Sequence, residues 1–219
     1  MARKDAVGMC WEDIEVAKIA RGSKAVREVN VPVPDTGWVR PSGFIHFADD
    51  DLIAVDTETK DPLLDTLGPG WAFEGEDAGH IVGISLASKE HGKVYYPMRH
   101  PCGDNFPPDE VLDYVGQQLQ NTNPKVFANG QYDVGWLGRE GVEVTGLCYD
   151  VQYAEALLDE YQDSYSLEAI SRHHLGRGKT VDLLEDWLRA SFGNKKPRSN
   201  IWRAPARLVG KYDGSKSWT

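Results

Sequence analysis

The chain has 219 residues, of which 41% are hydrophobic and 26% charged, and carries a formal net charge of −10. This is the make-up of an ordinary globular protein, and no run approaches the roughly 20 apolar residues that a membrane span needs. The three cysteines, Cys10, Cys102 and Cys148, are scattered and form no C-x-x-C, so neither a disulfide framework nor a cysteine zinc site is expected, and a reducing compartment is. No apolar run follows Met1-Ala-Arg-Lys-Asp5, so the start does not read as a secretory signal.

Residues 1–48 read as an N-terminal arm, with a short helix around Trp11 to Ala20 and turn signals at Pro32, Pro34-Asp-Thr-Gly37 and Pro41-Ser-Gly43. Leu52-Ile-Ala-Val55 is a short apolar run that predicts a buried strand. His80–Ala87 and Gly92–Pro97 predict two more strands joined as a hairpin. A helix is expected over 107–120. Its Val111, Leu112, Val115 and Leu119 share one face, and Pro107-Pro108 suits its start. Lys125–Ala128 predicts a fourth strand, followed by a helix over 130–139 in which Trp136 and Leu137 are core positions. Beyond Asp150 the pattern is helical near 151–159, 166–175, 181–192 and 203–212. Strands first and helices last imply an α/β body, a mixed sheet with helices packed on it. The loops 59–79 and 98–106 are long enough to suggest function.

Two acidic motifs carry the chemistry. In Asp56-Thr57-Glu58 the carboxylates are two apart at the end of the first strand, so they face one side and Thr57 the other. Carboxylates held that close repel unless a proton or cation lies between them, and hard divalent cations prefer such oxygen ligands. Asn129-Gly-Gln-Tyr-Asp133 follows the fourth strand and opens a helix, with Asn129 placed as its N-cap and Asp133 on the same helical face. It sets a third carboxylate at the C-terminal edge of a neighbouring strand, where ligands gather in α/β sheets. All three acids are expected in one cleft. A basic flank complements them: Arg189, Lys195, Lys196, Arg198, Arg203, Arg207 and Lys211 run without an acidic residue between them, as suits a protein that holds a polyanion.

Together these residues resemble the DEDD superfamily of 3′→5′ exonucleases, and in particular the proofreading domain of family A DNA polymerases. Ile53–Thr59 is similar to the first exonuclease motif and Lys125–Leu137 to the second. Tyr149–Asp159, Tyr165–Ile170 and His174-Leu-Gly176 resemble the helical stretch that follows, and Trp202–Tyr212 the approach to the third motif. Pro34-Asp-Thr-Gly-Trp38 is similar to phage polymerases. The resemblance implies a ribonuclease H-like fold with a five-stranded mixed sheet over residues 49–212. It implies catalysis by two divalent cations, Mg²⁺ or Mn²⁺, held by Asp56, Glu58 and Asp133, with Tyr212 orienting the attacking water. It implies a substrate, single-stranded DNA or a DNA 3′ end, touched by Thr57, Asn129, Lys195, Lys196, Arg198 and Arg203. A separate polymerase chain is a further expected partner, no membrane is involved, and the location is cytoplasmic, the host's cytoplasm for a viral protein.

The sequence departs from the family at one place. The third motif is Tyr-x-x-x-Asp, and Lys216 stands where its aspartate would fall. Residues 213–219 read as a divergent tail in which Gly214 disfavours helix. The alternative to a nuclease is therefore a non-catalytic module that grips single-stranded DNA or a polymerase. Other residues receive structural readings. Asp150 and Ser166, the latter with Glu168 in the first turn, are expected helix caps. His173-His174 has the residue types of a metal pair, but neighbours on a helix point about 100° apart and rarely share one cation, so His174 is expected to pack and His173 to lie at the surface. Tyr95 and Tyr96 are expected to divide between core and surface, and one or two of Leu63, Leu64, Phe73 and Phe106 to wedge nucleotides.

Overall fold

A computed structural model describes residues 31–47, 52–75, 78–101, 103–178, 182–193 and 197–214, the last stretch to backbone level over 197–199 and 212–214. The expected helix near Trp11 to Ala20, together with Lys195, Lys196 and Lys216, lies outside the described residues, as do the side chains of Arg198 and Tyr212. Five strands form one sheet: β1 (Ile53–Lys60), β2 (His80–Ser88), β3 (Gly92–Pro97), β4 (Lys125–Phe127) and β5 (Cys148–Asp150), in the order β3-β2-β1-β4-β5. β1 and β2 pair antiparallel, as do β2 and β3, whereas β4 and β5 join in parallel. This mixed sheet, flanked by helices, is the ribonuclease H-like arrangement. Among its strands, β5 is the one with no sequence signal. It is three residues long and exposed, and it exists because parallel pairing to β4 satisfies its backbone.

Helices α1 (Pro108–Leu119) and α2 (Gly130–Arg139) agree with the periodicity, and α1 buries Val111, Val115 and Leu119. α3 (Val151–Leu158), α4 (Leu167–Leu175) and α5 (Asp182–Phe192) follow, then a 3-10 segment at Pro197–Arg203 and α6 (Ala206–Gly214). Asp150 and Ser166 cap α3 and α4 as expected, accepting from the amides of Gln152 and Ala169. α6 runs to Gly214 as its last described residue, and residues 215–219 of the expected divergent tail lie outside the described residues.

The sheet is covered on both faces. On one, Ile53, Val55, Ile81, Ile84 and Leu86 pack against α1 and α2, with Trp136 and Leu137 fully buried among them. On the other, Tyr95, Leu184, Trp187, Leu188, Ala204, Leu208 and Val209 form a second core under α5 and α6. Tyr95 and Tyr96 are consecutive on β3 and therefore enter opposite cores. Both are wholly buried, which corrects the expected division between core and surface and removes them as stacking platforms. Phe106 is likewise core, packed with Phe44 and Tyr96, and is not a free wedge. Residues 31–47 run across both cores. Val31, Val33 and Trp38 join the second, Phe47 the first, and Thr36 donates its hydroxyl to the carbonyl of Arg207 at 2.9 Å.

A buried polar chain ties α6 to the sheet. The carbonyl of Ala204 can only accept, so the Nδ1–H of His100 donates to it at 2.8 Å, and Nε2 then accepts from the Tyr95 hydroxyl. Burial holds His100 down to about 4, so the ring is neutral near pH 7, as this tautomer requires. Gly83 on β2 makes room for the arrangement, since a Cβ there would lie 2.0 Å from the Tyr95 oxygen. Gly83→Ala is expected to displace Tyr95, break the chain to Ala204 and cost about 1–3 kcal/mol, the range for overpacking a core. Thermal denaturation checks this, and an unchanged melting temperature would refute it.

Candidate active site

β1 outruns its parallel neighbour. β4 pairs with it at Ile53 and Ala54 only, so further along that edge the N–H of Thr57 has no strand to meet. A side chain takes the place of the strand: Asp133, in the first turn of α2, accepts the Thr57 N–H at 2.9 Å and the Thr57 hydroxyl at 2.7 Å through Oδ1. The carboxylate of Asp133 is buried. By strand alternation Thr57 faces α2, while Asp56 and Glu58 face the side covered by α5, α6 and the 3-10 segment. Asp133 thus approaches from the face opposite to theirs and sits at the strand edge, where it can interact with both sides. Burial first, and the charge of Asp56 second, push its pKa up to about 7, and the two Thr57 bonds pull against that. Asp56 and Glu58 are half-buried.

The start of α2 is fixed from a direction not read in the sequence. Asn129 adopts a left-handed conformation (φ 67°) and makes no side-chain cap bond, contrary to the expectation that it caps the helix. Asp150 takes over, accepting the amides of Gly130 at 2.6 Å and Asn129 at 3.3 Å while also capping α3 through Gln152 at 2.8 Å. One carboxylate at the end of β5 thereby positions two helix N-termini. Tyr132 has no sequence reading of its own. Its hydroxyl is 2.7 Å from that of Thr59 and donates to Asp61 at 2.9 Å, and Asp61 in turn accepts the amide of Gly70. The loop after β1 is therefore held against α2. Within that loop, Leu64 is exposed and Leu63 and Phe73 are half-buried.

Cationic and aromatic groups border the other side. The Nζ of Lys60 lies 5.0 Å from the ring centre of Trp202, and the Arg203 guanidinium lies 4.8 Å from the same ring and 5.1 Å from that of Phe192. Lys60 is two residues past Glu58 on the same strand. Arg189 from the basic flank is committed to Glu185 and Asp186 of its own helix, whereas Arg207 is exposed. Thr57, expected to touch substrate, is buried with its hydroxyl given to Asp133, which suits it to orient that carboxylate. Asn129 is exposed beside the site.

In sequence the chain is 37% identical over 163 residues to a DNA-directed DNA polymerase of Pseudomonas phage M6, a match that covers 73% of this chain and 24% of the phage protein. It is 31% identical over 135 residues to DNA polymerase I of Chloroflexus aurantiacus, 58% of this chain and 14% of that one. It is 30% identical over 127 residues to DNA polymerase I of Synechocystis, 57% and 12% respectively. The chain therefore spans about a quarter or less of the length of these relatives. No family model matches it. Among solved structures, the apo form of a nuclease overlaps 74% of this chain and 64% of its own at TM-score 0.48 and 20% identity. Brucella melitensis NrnC with bound Mg²⁺ overlaps 78% and 90% at TM-score 0.43 and 15% identity. Among the described residues no helix is long and apolar enough to cross a membrane.

The raised pKa of Asp133 has a measurable consequence. The folded chain holds this proton more tightly than the unfolded chain, whose carboxylate titrates near 4. Stability from this group is therefore greatest at low pH, declines as pH rises from about 4 to about 7, and the full cost of a buried charge is present above that. Asp133→Asn keeps the acceptor for Thr57 and removes the charge. Without added metal it is expected to gain more stability at pH 8 than at pH 5, the two gains differing by at least about 2–4 °C in melting temperature, the shift that 1 kcal/mol gives a chain of this size. A gain equal at both pH values would show that Asp133 is not titrating in this window.

Proposed function

We infer that this chain, related in sequence to family A DNA polymerases, is a metal-dependent 3′→5′ exonuclease module that removes terminal nucleotides from single-stranded DNA. The observation that carries the reading is the buried Asp133 carboxylate, raised in pKa by burial and by Asp56, at the C-terminal edge of a parallel strand pair. Crowding two acids costs stability, and sites that bind cations or move protons are where such pairs recur. The donor set fits hard divalent cations: Asp56, Glu58 and Asp133 offer carboxylate oxygens and no sulfur or imidazole. Two bound cations, Mg²⁺ or Mn²⁺, would supply an activated water and charge stabilisation for a leaving 3′-oxygen.

The chain's own residues do the positioning. Thr57 fixes the orientation of Asp133, and Asp150 fixes the helix that carries it. Tyr132 and Asp61 hold the loop that borders the site. Trp202, flanked by Lys60 and Arg203, offers a ring for a base and two cations for phosphates. By the resemblance, Lys195, Lys196 and Arg198 add positive charge for the phosphates, Asn129 contacts the same substrate, and Tyr212 orients the attacking water. The natural context is a polymerase, on the same polypeptide or a separate one, in the cytoplasm of the cell or of a phage's host. The unit is residues 49–212, with 1–48 as its arm and 213–219 as its tail.

Lys216 deprives the site of one acid, so the chain as it stands is expected to degrade a 3′-labelled single strand slowly, and better with Mn²⁺ than with Mg²⁺. Asp56→Ala is expected to abolish that activity, and Lys216→Asp to raise it about 10²–10³-fold, the usual scale for restoring a preorganised charged group. Fast Mg²⁺-dependent digestion by the unaltered chain would show that another residue replaces the missing acid, and digestion insensitive to Asp56→Ala would refute the site. Trp202→Ala is expected to raise KM for single-stranded DNA at least tenfold with little change in kcat, since base stacking contributes about 1–3 kcal/mol. A fall in kcat at constant KM would instead place Trp202 in the chemistry.

A further inference from the structure

Away from the acidic end of β1, the hairpin of α3 and α4 brings together a second group with ligand chemistry. Glu155, His173 and His174 each offer one donor atom, and the three atoms lie within 4.8 Å of one another. Nε2 of His174 is 2.7 Å from Oε2 of Glu155. The two imidazoles are 4.7 Å apart between ring centres and inclined at 70°. The pairing corrects the expectation that His174 packs and that the two rings diverge. Both histidines are exposed, and it is the carboxylate they meet that is buried.

We propose that Glu155, His173 and His174 form a Zn²⁺ site that clasps α3 to α4 and leaves one coordination position open. Two imidazole nitrogens and one carboxylate oxygen make a borderline donor set that suits Zn²⁺ and suits Mg²⁺ or Ca²⁺ poorly. Three protein ligands are the number at which zinc keeps a place for water or an outside group. Ligand bonds of about 2.0–2.2 Å at the tetrahedral angle set donors about 3.3–3.6 Å apart, so a pair at the 4.8 Å limit closes by a little over about 1 Å and the 2.7 Å pair opens by less than that, movements that exposed imidazoles supply by side-chain rotation. Glu155 is already oriented: Nε2 of Gln162 donates to its Oε1, leaving Oε2 for the metal. The histidines lie in the last turn of α4, where the helix dipole favours a cation.

The test is a titration of the full chain with ZnCl₂ against a chromophoric chelator, in excess Mg²⁺ and without DNA. One equivalent is expected to bind, and Co²⁺ in its place to give the visible bands of a tetrahedral site. His173→Ala changes an exposed ring, and it should lower the affinity at least tenfold while leaving the fold intact by circular dichroism. Glu155→Gln should do the same. His91→Ala should leave zinc binding unchanged, because His91 does not belong to the group. Zinc bound equally by the chain and by His173→Ala would overturn the proposal, as would zinc binding that is absent altogether. The readout is independent of DNA cleavage, so either result leaves the nuclease reading where it stands.

Discussion

The structure turns on one carboxylate standing in for a strand. Where β4 ends and β1 continues, the edge N–H of Thr57 must find an acceptor, because an unpaired buried amide costs about as much as a lost hydrogen bond. Asp133 supplies it and is buried in doing so. The same bonds that keep the sheet edge satisfied hold an acid beside Asp56, and the cost appears as a pKa pushed up to about 7. Fold and site are therefore not separable at this point. An aspartate that left the edge to relieve its charge would expose the backbone of β1.

The rest of the molecule maintains that edge. Asp150 binds the amides that open α2, so the turn that delivers Asp133 is set by β5 and α3 and not by its own residues. Tyr132 ties the same turn to Thr59 and Asp61. Farther away, Arg99 forms a paired-nitrogen bridge to Glu140, which also accepts the amide of Ile81, so the far end of α2 is fastened to β2. Lys125 spends its buried ammonium on the carbonyls of Asn121 and Thr145 and the side-chain oxygen of Asn121, locking β4 between the end of α1 and the approach to β5. Each of these polar contacts is local to one joint between elements, and the apolar cores on the two faces are continuous.

Much of this was legible in the sequence because periodicity and residue type report burial. The apolar run of β1, the hairpin, the 3.6-residue stripe of α1 and the bounds of α2 follow from that alone, and order of elements with motif spacing implied the mixed sheet. What could not be read depends on partners distant in sequence. Nothing in Cys148-Tyr-Asp150 signals a strand, since three exposed residues become one by lying beside β4. Asn129 has the residue type of a cap, but its left-handed backbone turns its side chain from the task, and Asp150, 20 residues beyond Gly130, performs it. Tyr95 and Tyr96 read as amphipathic because a strand with one solvated face is the commoner case. Here the second face is covered by α5 and α6. His173 and His174 were assigned by their position on one helix, whereas their arrangement is set by Glu155 on another.

Helix α6 clarifies what the chain lacks. Leu208 is buried in the second core, Val209 beside it, and Gly210 lies so close to Trp38 that a Cβ would come 2.3 Å from the ring. Thr36 grips the carbonyl of Arg207 one turn earlier. The phase of the helix is thus set by packing before Tyr212 is reached, and the helical backbone persists to Gly214. The arm, the second core and the His100 chain therefore anchor α6 through Gly210, upstream of the position where the sequence carries lysine in place of the third-motif carboxylate.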